Sequence, residues 1–408
     1  MTFSCFTLLL DSGGGWTQER EDSFILFKNP AFSLYLKAGI VHVNSPGKEF
    51  KFSRDPLTLL ESYLNEGYFA VGYIGYEFSR FTEEGFFPVH NKDGASFPDI
   101  YFLFFKQDDV VSGMIEDLKY LLQITSERYS TDSPDRPHAN MSRDEYVKKV
   151  ERVKDYIRNG DVYQVNLSQR FTVPLNISPL SYLLNLYEVQ PVPFGCYMDF
   201  GEFQVVSGSM ELFLRKTGEK LVTKPIKGTR KRGITAEGDA ILRAELLSSE
   251  KERAENLMIV DLMRNDLGRI CRYGTVRVNK LFDVESYATV HQMVSEVEGY
   301  LLNDIKVADI IKSTFPPGSV TGAPKKRAVE IIDELEPHLR GPYCGALGVF
   351  SPNGDFSLSV AIRILVAREN IGTFWVGGGI VWDSDPMKEY EETLIKARAT
   401  KKALGLIE

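Results

Sequence analysis

Cysteine is scarce in this chain of 408 residues, where Cys5, Cys196, Cys271 and Cys344 lie far apart. No two of them have the Cys-x-x-Cys spacing of a zinc site or a redox motif, and the set gives no disulfide framework. The five histidines contain no His-x-x-x-His pair. The sequence therefore predicts neither a zinc site nor a disulfide-stabilised secreted domain, and its cysteines fit a reducing compartment.

Long hydrophobic runs and an excess of basic residues are also missing. The formal net charge is −8, so a basic nucleic-acid surface is not expected. The apolar N-terminal stretch ends at Asp11, has no basic start and is too short to cross a bilayer. We therefore expect a buried strand there, and a cytoplasmic protein that binds neither membrane nor nucleic acid.

The composition is that of a large globular protein, with 43% hydrophobic and 25% charged residues. Aromatic, strand-like segments at 69–76 and 100–105 precede a polar, proline-containing stretch at 131–141. Such a stretch is typical of a linker. The sequence therefore predicts a β-rich N-terminal subdomain over residues 1–130 and a larger domain over residues 142–408, joined by that linker.

Helix and strand patterns mix after the linker. Ser142 and Glu145 form a capping-box pattern at the start of a helix that should end near Gly160. The other predicted elements are a hairpin of 194–200 and 203–207, a helix over 239–266, strands at 344–351, 355–368 and 373–382, and a helix over 386–404. Hairpin-linked strands with helices grouped between them favour an α+β fold with antiparallel sheets.

Two Glu-x-x-Glu pairs are candidate ligands for a hard cation. Glu252 and Glu255 lie in one predicted helix, and Glu389 and Glu392 lie in the last one. A spacing of three places each pair on one helix face, and carboxylates brought together from two helices suit Mg²⁺. A solvated surface is the commoner role of such a pair. Lys396 follows Glu392 by four residues, where it could form an ordinary ion pair or hold a substrate carboxylate.

Two glycine-containing segments and one lysine are further candidates. Residues 377–379 are all glycine and precede the last helix, where backbone N–H groups can approach an anion or the strand can simply bulge. The turn over 318–326 lacks Walker A spacing, so it predicts no nucleotide site. Lys227 follows Pro225-Ile226; a lysine becomes a nucleophile when burial or a nearby cation lowers its pKa, although most lysines lie at the surface.

The order and spacing of these segments resemble the chorismate-binding enzymes that aminate chorismate, component I of anthranilate synthase and of aminodeoxychorismate synthase. The segments that carry the resemblance are 161–171, 225–230, 251–269, 318–325 and 377–397. The resemblance is dense over about residues 140–405 and looser before them. It implies an antiparallel β-sandwich-like core with helices outside, and an active site in the central cleft of a catalytic domain over 142–408.

The resemblance also implies roles for particular residues. Glu255 and Glu392 match the two Mg²⁺ carboxylates, and Glu252 and Glu389 match their supporting partners. Lys227, Glu211 and His291 match catalytic groups. Residues that match substrate contacts are Gly228, Thr229, Thr321, Tyr343, Arg363, Gly377, Gly378, Gly379 and Lys396. Among these, the guanidinium of Arg363 offers the paired donors that a carboxylate favours.

Lys227 favours one branch of this family. Anthranilate synthases usually carry alanine at its position, whereas aminodeoxychorismate synthases commonly carry lysine. The isochorismate-forming relatives have a water-activating lysine where this chain has Gln164, and glutamine is no general base. We therefore expect a Mg²⁺-dependent enzyme that makes 4-amino-4-deoxychorismate for 4-aminobenzoate and folate synthesis. In that reaction Lys227 would attack C2 of chorismate, Glu211 would protonate the departing C4 hydroxyl, and ammonia would attack C4 and expel the lysine.

Ammonia should come from a partner, because none of the four cysteines lies in a glutaminase-like setting. The resemblance implies a separate glutamine amidotransferase subunit, and the end of the chain at Glu408 leaves no room for a fused lyase. Anthranilate synthase component I, which serves tryptophan synthesis, stays open as the alternative. A non-catalytic scaffold of a glutaminase complex is a second alternative, against which the glutamate pairs, Lys227 and Glu211 argue.

Overall fold

The computed structural model describes residues 5–17, 22–82, 92, 97–122 and 137–406. Its helices are α1 (Pro56–Asn65), α2 (Ile115–Leu122), α3 (Arg143–Arg158), α4 (Pro179–Val189), α5 (Ala236–Ser248), α6 (Glu250–Gly268), α7 (Val307–Thr314), α8 (Lys325–Leu335) and α9 (Pro386–Ala403). Its strands are β1 (Phe6–Asp11), β2 (Ser23–Lys28), β3 (Phe32–Lys37), β4 (Ile40–Ser45), β5 (Lys48–Phe52), β6 (Phe69–Ile74), β7 (Ile100–Phe105), β8 (Val110–Met114), β9 (His138–Ala139), β10 (Gln164–Pro174), β11 (Phe194–Asp199), β12 (Gln204–Ser209), β13 (Leu212–Thr217), β14 (Lys220–Lys224), β15 (Ile226–Lys231), β16 (Arg277–Ser286), β17 (Val290–Tyr300), β18 (Gly322–Ala323), β19 (Ala346–Phe350), β20 (Phe356–Val360), β21 (Ile364–Arg368) and β22 (Ile371–Ile380).

These strands form two antiparallel sheets. The first has the order β18-β10-β22-β21-β12-β11-β1-β2-β8, with β9 paired to β10. The second has the order β15-β17-β14-β13-β20-β19-β6-β7-β3-β4-β5, with β16 paired to β17. Hairpins join many of the neighbours, as antiparallel pairing allows. The predicted α+β fold with antiparallel sheets is confirmed.

The main core lies between the sheets. Leu9 of the first sheet and Val71 of the second belong to one continuous cluster of buried side chains. Side chains alternate along a strand, so Leu8 and Leu10 face the opposite side, where they pack in a second cluster with residues of α4 and α9. Burial on both faces explains why β1 is apolar almost throughout, and it confirms the predicted buried N-terminal strand.

Strands from before and after the predicted linker pair within each sheet, as β1 does with β11 and β6 with β19. The division of the chain at 131–141 stays a prediction, and residues 131–136 lie outside the described residues. Along the described ranges, no helix has the length and hydropathy that a membrane span requires.

Local sequence signals predicted the starts of two helices, α3 and α9, correctly. Ser142 and Glu145 form the reciprocal capping box of α3, which satisfies backbone donors that the first helical turn leaves free. The side chain of Asp385 caps α9 by accepting from Lys388 N, and Pro386 occupies the first turn. α9 lies against β22, so this cap fixes where Glu389 and Glu392 face the first sheet.

Two predicted elements differ in the structure, and the predicted hairpin is confirmed. The helix predicted over 239–266 is divided at Ser249, whose extended backbone ends α5 and whose side chain caps α6. The strand predicted over 355–368 is two strands in different sheets, β20 and β21, and Arg363 between them has φ +50°. The hairpin of β11 and β12 has the predicted two-residue loop, since Phe200 N donates to Phe203 O at 3.0 Å across Gly201 and Glu202.

Candidate active site

Several predicted site residues lie where the glycine run of β22, the three consecutive glycines at 377–379, approaches β15. A Cβ atom placed on Gly379 would be 3.4 Å from Lys227 Nζ and 2.7 Å from the amide nitrogen of Gln164. A side chain at this position would therefore fill the space between the strands. Glycine keeps that space open and lets a ligand approach the backbone.

Lys227 is half-buried, and its Nζ donates to the carbonyl of Ser319 at 3.1 Å. Burial lowers the pKa of Lys227, while the carboxylates of Glu255 and Glu211 oppose that shift. Desolvation of this kind disfavours the charged ammonium. A larger share of neutral amine is therefore present than on a surface lysine, as a nucleophile requires.

Glu211 lies beside this lysine, between β12 and β13, and is 5% exposed. Burial raises the pKa of Glu211 from its usual 4.5 to about 7, against the opposing effects of Ser319, Lys227 and Ile226 N. The hydroxyl of Ser319 bonds the Glu211 carboxyl, while its carbonyl accepts from Lys227. A carboxyl with this pKa can donate a proton near neutral pH.

The raised pKa of Glu211 predicts a pH-dependent cost in stability. A carboxyl whose folded pKa exceeds its unfolded value destabilises the fold increasingly as pH rises through that interval, here from 4.5 to about 7. Glu211→Gln should therefore melt above wild type by a larger margin at pH 8 than at pH 5 in thermal scans. Glu202→Gln, at an exposed position, is the control, and equal margins for Glu211→Gln at both pH values would contradict the assignment.

The two glutamate pairs approach the cleft from opposite sheets. On the α9 side, a Cβ atom on Gly378 of β22 would be 3.1 Å from Glu389 Oε2 and 4.0 Å from Glu392 Oε1. On the α6 side, a Cβ atom on Gly228 of β15 would be 2.9 Å from Glu252 Oε2. Each pair thus lies against a glycine, which lets the carboxylates reach the backbone without a steric clash.

The supporting carboxylates are held by neighbours. Arg230 donates to Glu252 Oε1 at 3.2 Å, and Ser384 Oγ donates to Glu389 Oε1 at 2.6 Å. Lys396 Nζ lies 2.7 Å from Glu392 Oε1 and also donates to the carbonyl of Gly377 at 2.9 Å. These contacts fix the orientation of the carboxylates relative to the glycine run.

Carboxylates from the two helices affect one another. Burial raises the pKa of Glu255, and the charges of Glu252 and Glu389 add to that rise. Burial likewise raises the pKa of Glu389, with a further contribution from Glu392. Burial also tends to raise the pKa of Glu392, but the charge and hydrogen bond of Lys396 outweigh burial and hold that pKa below its usual value. Negative charge is therefore concentrated in the cleft, which favours a cation there.

These oxygens could hold a hard divalent cation. Within the described ranges, no three metal-ligating side chains converge on one point, so an all-protein cage is not formed. Mg²⁺ commonly binds through one or two carboxylates and fills its other positions with water and substrate. Glu255 and Glu392, one from each helix, fit that kind of site.

The remaining predicted contacts have varied surroundings. Tyr343 is buried and stacks on Trp375 with ring centroids 5.9 Å apart. The hydroxyl of Thr321 donates to Pro317 O at 2.8 Å within its own turn, and Thr229 is exposed on β15. Both threonines thus remain predicted substrate contacts. Of their two hydroxyls, only that of Thr321 has a hydrogen-bond partner among the residues that the structure describes.

His291 lies in a hydrogen-bonded network of its own. Its Nε2 is 2.9 Å from Asp239 Oδ1, and its Nδ1 is 2.8 Å from Ser286 Oγ. The guanidinium of Arg232 bonds Asp239 and holds the pKa of that carboxyl below its usual range. Both ring nitrogens of His291 therefore have protein partners, so the predicted catalytic role would require one of these bonds to open.

Sequence reasoning missed two groups in the cleft. Ser319 lies in the recognised 318–326 turn, but only folding shows that it contacts both Lys227 and Glu211. Gln190 accepts a hydrogen bond from Arg363, a contact between distant segments that no local pattern signals. Gln164, which the sequence had distinguished from the isochorismate-forming relatives, is fully buried, and neither heteroatom of its amide has a partner among the described residues.

A family model described as "chorismate binding enzyme" matches residues 7–402 of the chain. Aminodeoxychorismate synthase component 1 of Bacillus subtilis (strain 168) is 40% identical over 367 residues, which cover 83% of this chain and 77% of that protein. Anthranilate synthase component 1 of Thermus thermophilus is 38% identical over 410 residues, which cover 91% and 87%. Sequence identity thus supports both branches almost equally.

The fold has a close counterpart among solved structures. Anthranilate synthase component I from Streptococcus pneumoniae TIGR4 superposes with a TM-score of 0.79 at 31% identity, covering 93% of this chain and 92% of that one. The predicted fold is therefore confirmed in detail. The approach of Lys227 on β15 to Gly379 on β22 occurs within a fold that this relative shares.

Proposed function

The chain belongs to the chorismate-binding enzyme family, and from this premise we propose that it converts chorismate and ammonia into 4-amino-4-deoxychorismate. It is a chorismate-utilising enzyme of the anthranilate or aminodeoxychorismate synthase type. The observation that carries the choice is Lys227, whose amine is desolvated at the glycine run and lies beside the protonatable carboxyl of Glu211.

Lys227 and Glu211 would divide the substitution into two steps. The neutral amine of Lys227 forms a bond to C2 of chorismate, both ring double bonds shift by one position, and the C4–O bond breaks as Glu211 donates a proton to the hydroxyl, which leaves as water. Ammonia then bonds to C4, both double bonds shift back, the C2–N bond to Lys227 breaks, and Glu211 takes back a proton from the new C4 ammonium. The net change replaces the C4 hydroxyl by an amine.

The rest of the cleft would hold the two carboxylates of the substrate. Mg²⁺, held by Glu255 and Glu392, would supply positive charge to one carboxylate when bound. Arg363 would donate to the other, since a guanidinium matches a carboxylate with paired N–H groups. Lys396 and the N–H groups of the glycine run lie at the same edge and would orient the ring.

Anthranilate synthesis is the second candidate, and the likeness to the Thermus thermophilus and Streptococcus pneumoniae proteins favours it. That reaction also eliminates pyruvate. The desolvated amine of Lys227 in the cleft supports the first candidate. A non-catalytic scaffold has no comparable support.

Ammonia would come from a glutamine amidotransferase partner. A glutaminase of this kind needs a cysteine thiolate, but burial raises the pKa of Cys196 and of Cys344 to about 12 and that of Cys271 to about 11. Cys5 also has a raised pKa, chiefly through burial. The thiols thus stay protonated near neutral pH. The relatives are themselves named as component 1 of their synthases.

Product analysis tests the proposal. The protein is incubated with chorismate, Mg²⁺ and an ammonium salt, and the products are separated by liquid chromatography. We expect 4-amino-4-deoxychorismate without pyruvate, and conversion to 4-aminobenzoate after a lyase is added. Anthranilate with an equal amount of pyruvate would select the second candidate, and absence of any turnover in folded protein would favour the scaffold.

A further inference from the structure

Arg363 lies where the chain crosses from β20 in one sheet to β21 in the other. Its backbone has φ +50°, a conformation that costs a residue with a side chain and needs support from its surroundings. That support comes from β12, where Gly208 N donates to Arg363 O at 3.1 Å and Ser207 Oγ donates to Ile362 O at 3.0 Å. These two hydrogen bonds therefore fix the backbone from which the Arg363 side chain extends.

The guanidinium of Arg363 has no carboxylate to balance its charge. Burial lowers the pKa of Arg363, and the opposing influence is the phenol of Tyr182. Across the part of the chain that the structure describes, Arg363 forms no ion pair with an acidic side chain. A partly desolvated cation without a counter-ion is costly, and a substrate carboxylate would reduce that cost on binding.

Gln190 is the side chain that orients this guanidinium. It follows α4, is 5% exposed, and accepts from Arg363 Nη1 through its amide oxygen. Its amide nitrogen lies 3.4 Å from the sulfur of Met210, the residue before Glu211. One carboxamide thus links the segment that carries Arg363 to the segment that carries Glu211.

We propose that Gln190 is a positioning residue. Its amide orients the guanidinium of Arg363 toward a substrate carboxylate and keeps that guanidinium at a fixed position relative to Glu211. This inference rests on the proposed function, since it takes chorismate as the ligand. A neutral acceptor suits the role because it directs one N–H group and leaves the positive charge of the guanidinium available. A carboxylate at position 190 would pair with Arg363 and compete with the substrate, whereas an apolar side chain would leave the guanidinium undirected.

The test compares Gln190→Leu and Gln190→Glu with Asn185→Leu. Asn185 lies on α4, the helix that Gln190 follows, and its amide anchors α4 to the carbonyl of Ala403, so its variant controls for disturbance of the helix. We expect the KM for chorismate to rise about tenfold in Gln190→Leu and further in Gln190→Glu, while the KM for ammonium stays at the wild-type value. The Asn185→Leu variant should keep both constants.

A double variant gives an independent readout. If Gln190 acts through Arg363, Gln190→Leu should change the KM for chorismate much less in an Arg363→Lys background than in wild type. Equal changes in both backgrounds, or a KM that does not change in either Gln190 variant, would overturn the inference. Should Gln190→Leu fail to fold, Gln190→Glu carries the same comparison, because it conserves size and hydrogen bonding.

Calorimetric titration with chorismate and Mg²⁺ separates the failure of this inference from failure of the proposed function. Wild-type protein that binds chorismate but makes no 4-amino-4-deoxychorismate contradicts the function, while weaker binding by Gln190→Glu still supports the positioning role. Wild-type protein that aminates chorismate, with unchanged binding by both Gln190 variants, contradicts the positioning role alone. Absence of chorismate binding by wild type overturns both.

Discussion

Replacing Lys227 by alanine should lower kcat for chorismate amination by about a hundredfold or more, equivalent to about 2.7 kcal/mol of transition-state stabilisation. The variant lacks the amine that would bond to C2, so the substitution would have to occur in one step. The measurement is steady-state turnover with ammonium salt. Lys231→Ala, which removes an exposed lysine from the same strand, should retain wild-type turnover.

The same variant should also be more stable than wild type near neutral pH. A lysine whose folded pKa lies below its unfolded value destabilises the fold at pH values where it is protonated, and burial lowers the pKa of Lys227. A lower kcat together with a higher melting temperature would indicate that Lys227 serves catalysis although it destabilises the folded protein. Wild-type kcat in Lys227→Ala would remove the lysine from the mechanism.

Replacing Glu255 or Glu392 by glutamine should weaken Mg²⁺ binding by about a hundredfold, since one or two carboxylates supply the protein's share of the ligands. Calorimetric titration with Mg²⁺ measures this directly and needs no turnover. Glu391→Gln on α9 is the matched control, because that side chain is exposed beside Glu392. Unchanged Mg²⁺ affinity in both site variants would show that the cation is held elsewhere.

The pH dependence of Mg²⁺ binding follows from the same carboxylates. The pKa values of Glu255 and Glu389 are raised, chiefly by burial. Protons therefore compete with the cation at a higher pH than they would for exposed glutamates, so Mg²⁺ affinity should fall as the pH is lowered. The pH dependence of Mg²⁺ affinity therefore arises from the cluster of carboxylates rather than from either glutamate alone.

Local sequence signals predicted those parts of the fold that local interactions determine. The capping box of Ser142 and Glu145 fixed the start of α3, and Pro386 fixed the start of α9. Apolar periodicity also indicated that 355–368 is extended. It did not reveal that Arg363 takes φ +50° and that the chain changes sheets there, because only long-range pairing with β12 and β13 determines that break.

The same distinction separates the predicted site residues from the missed ones. The glutamate pairs and Lys227 could be predicted because their segments resemble a known family in order and spacing. Ser319 and Gln190 contact residues about 90 and 170 positions away in the chain, through their hydrogen bonds with Lys227 and Arg363. No periodicity or motif encodes such contacts, so they emerge only from the folded arrangement of the two sheets.

Mass spectrometry of the Lys227 peptide tests the central claim most directly. The protein is mixed with chorismate and Mg²⁺ without ammonia, quenched with acid and digested. If Lys227 attacks C2, the Lys227 peptide should gain the mass of one chorismate less one water, and 4-amino-4-deoxychorismate should be released when ammonium salt is added before the quench. Unmodified Lys227, together with anthranilate and pyruvate in the reaction that contains ammonium, would contradict it.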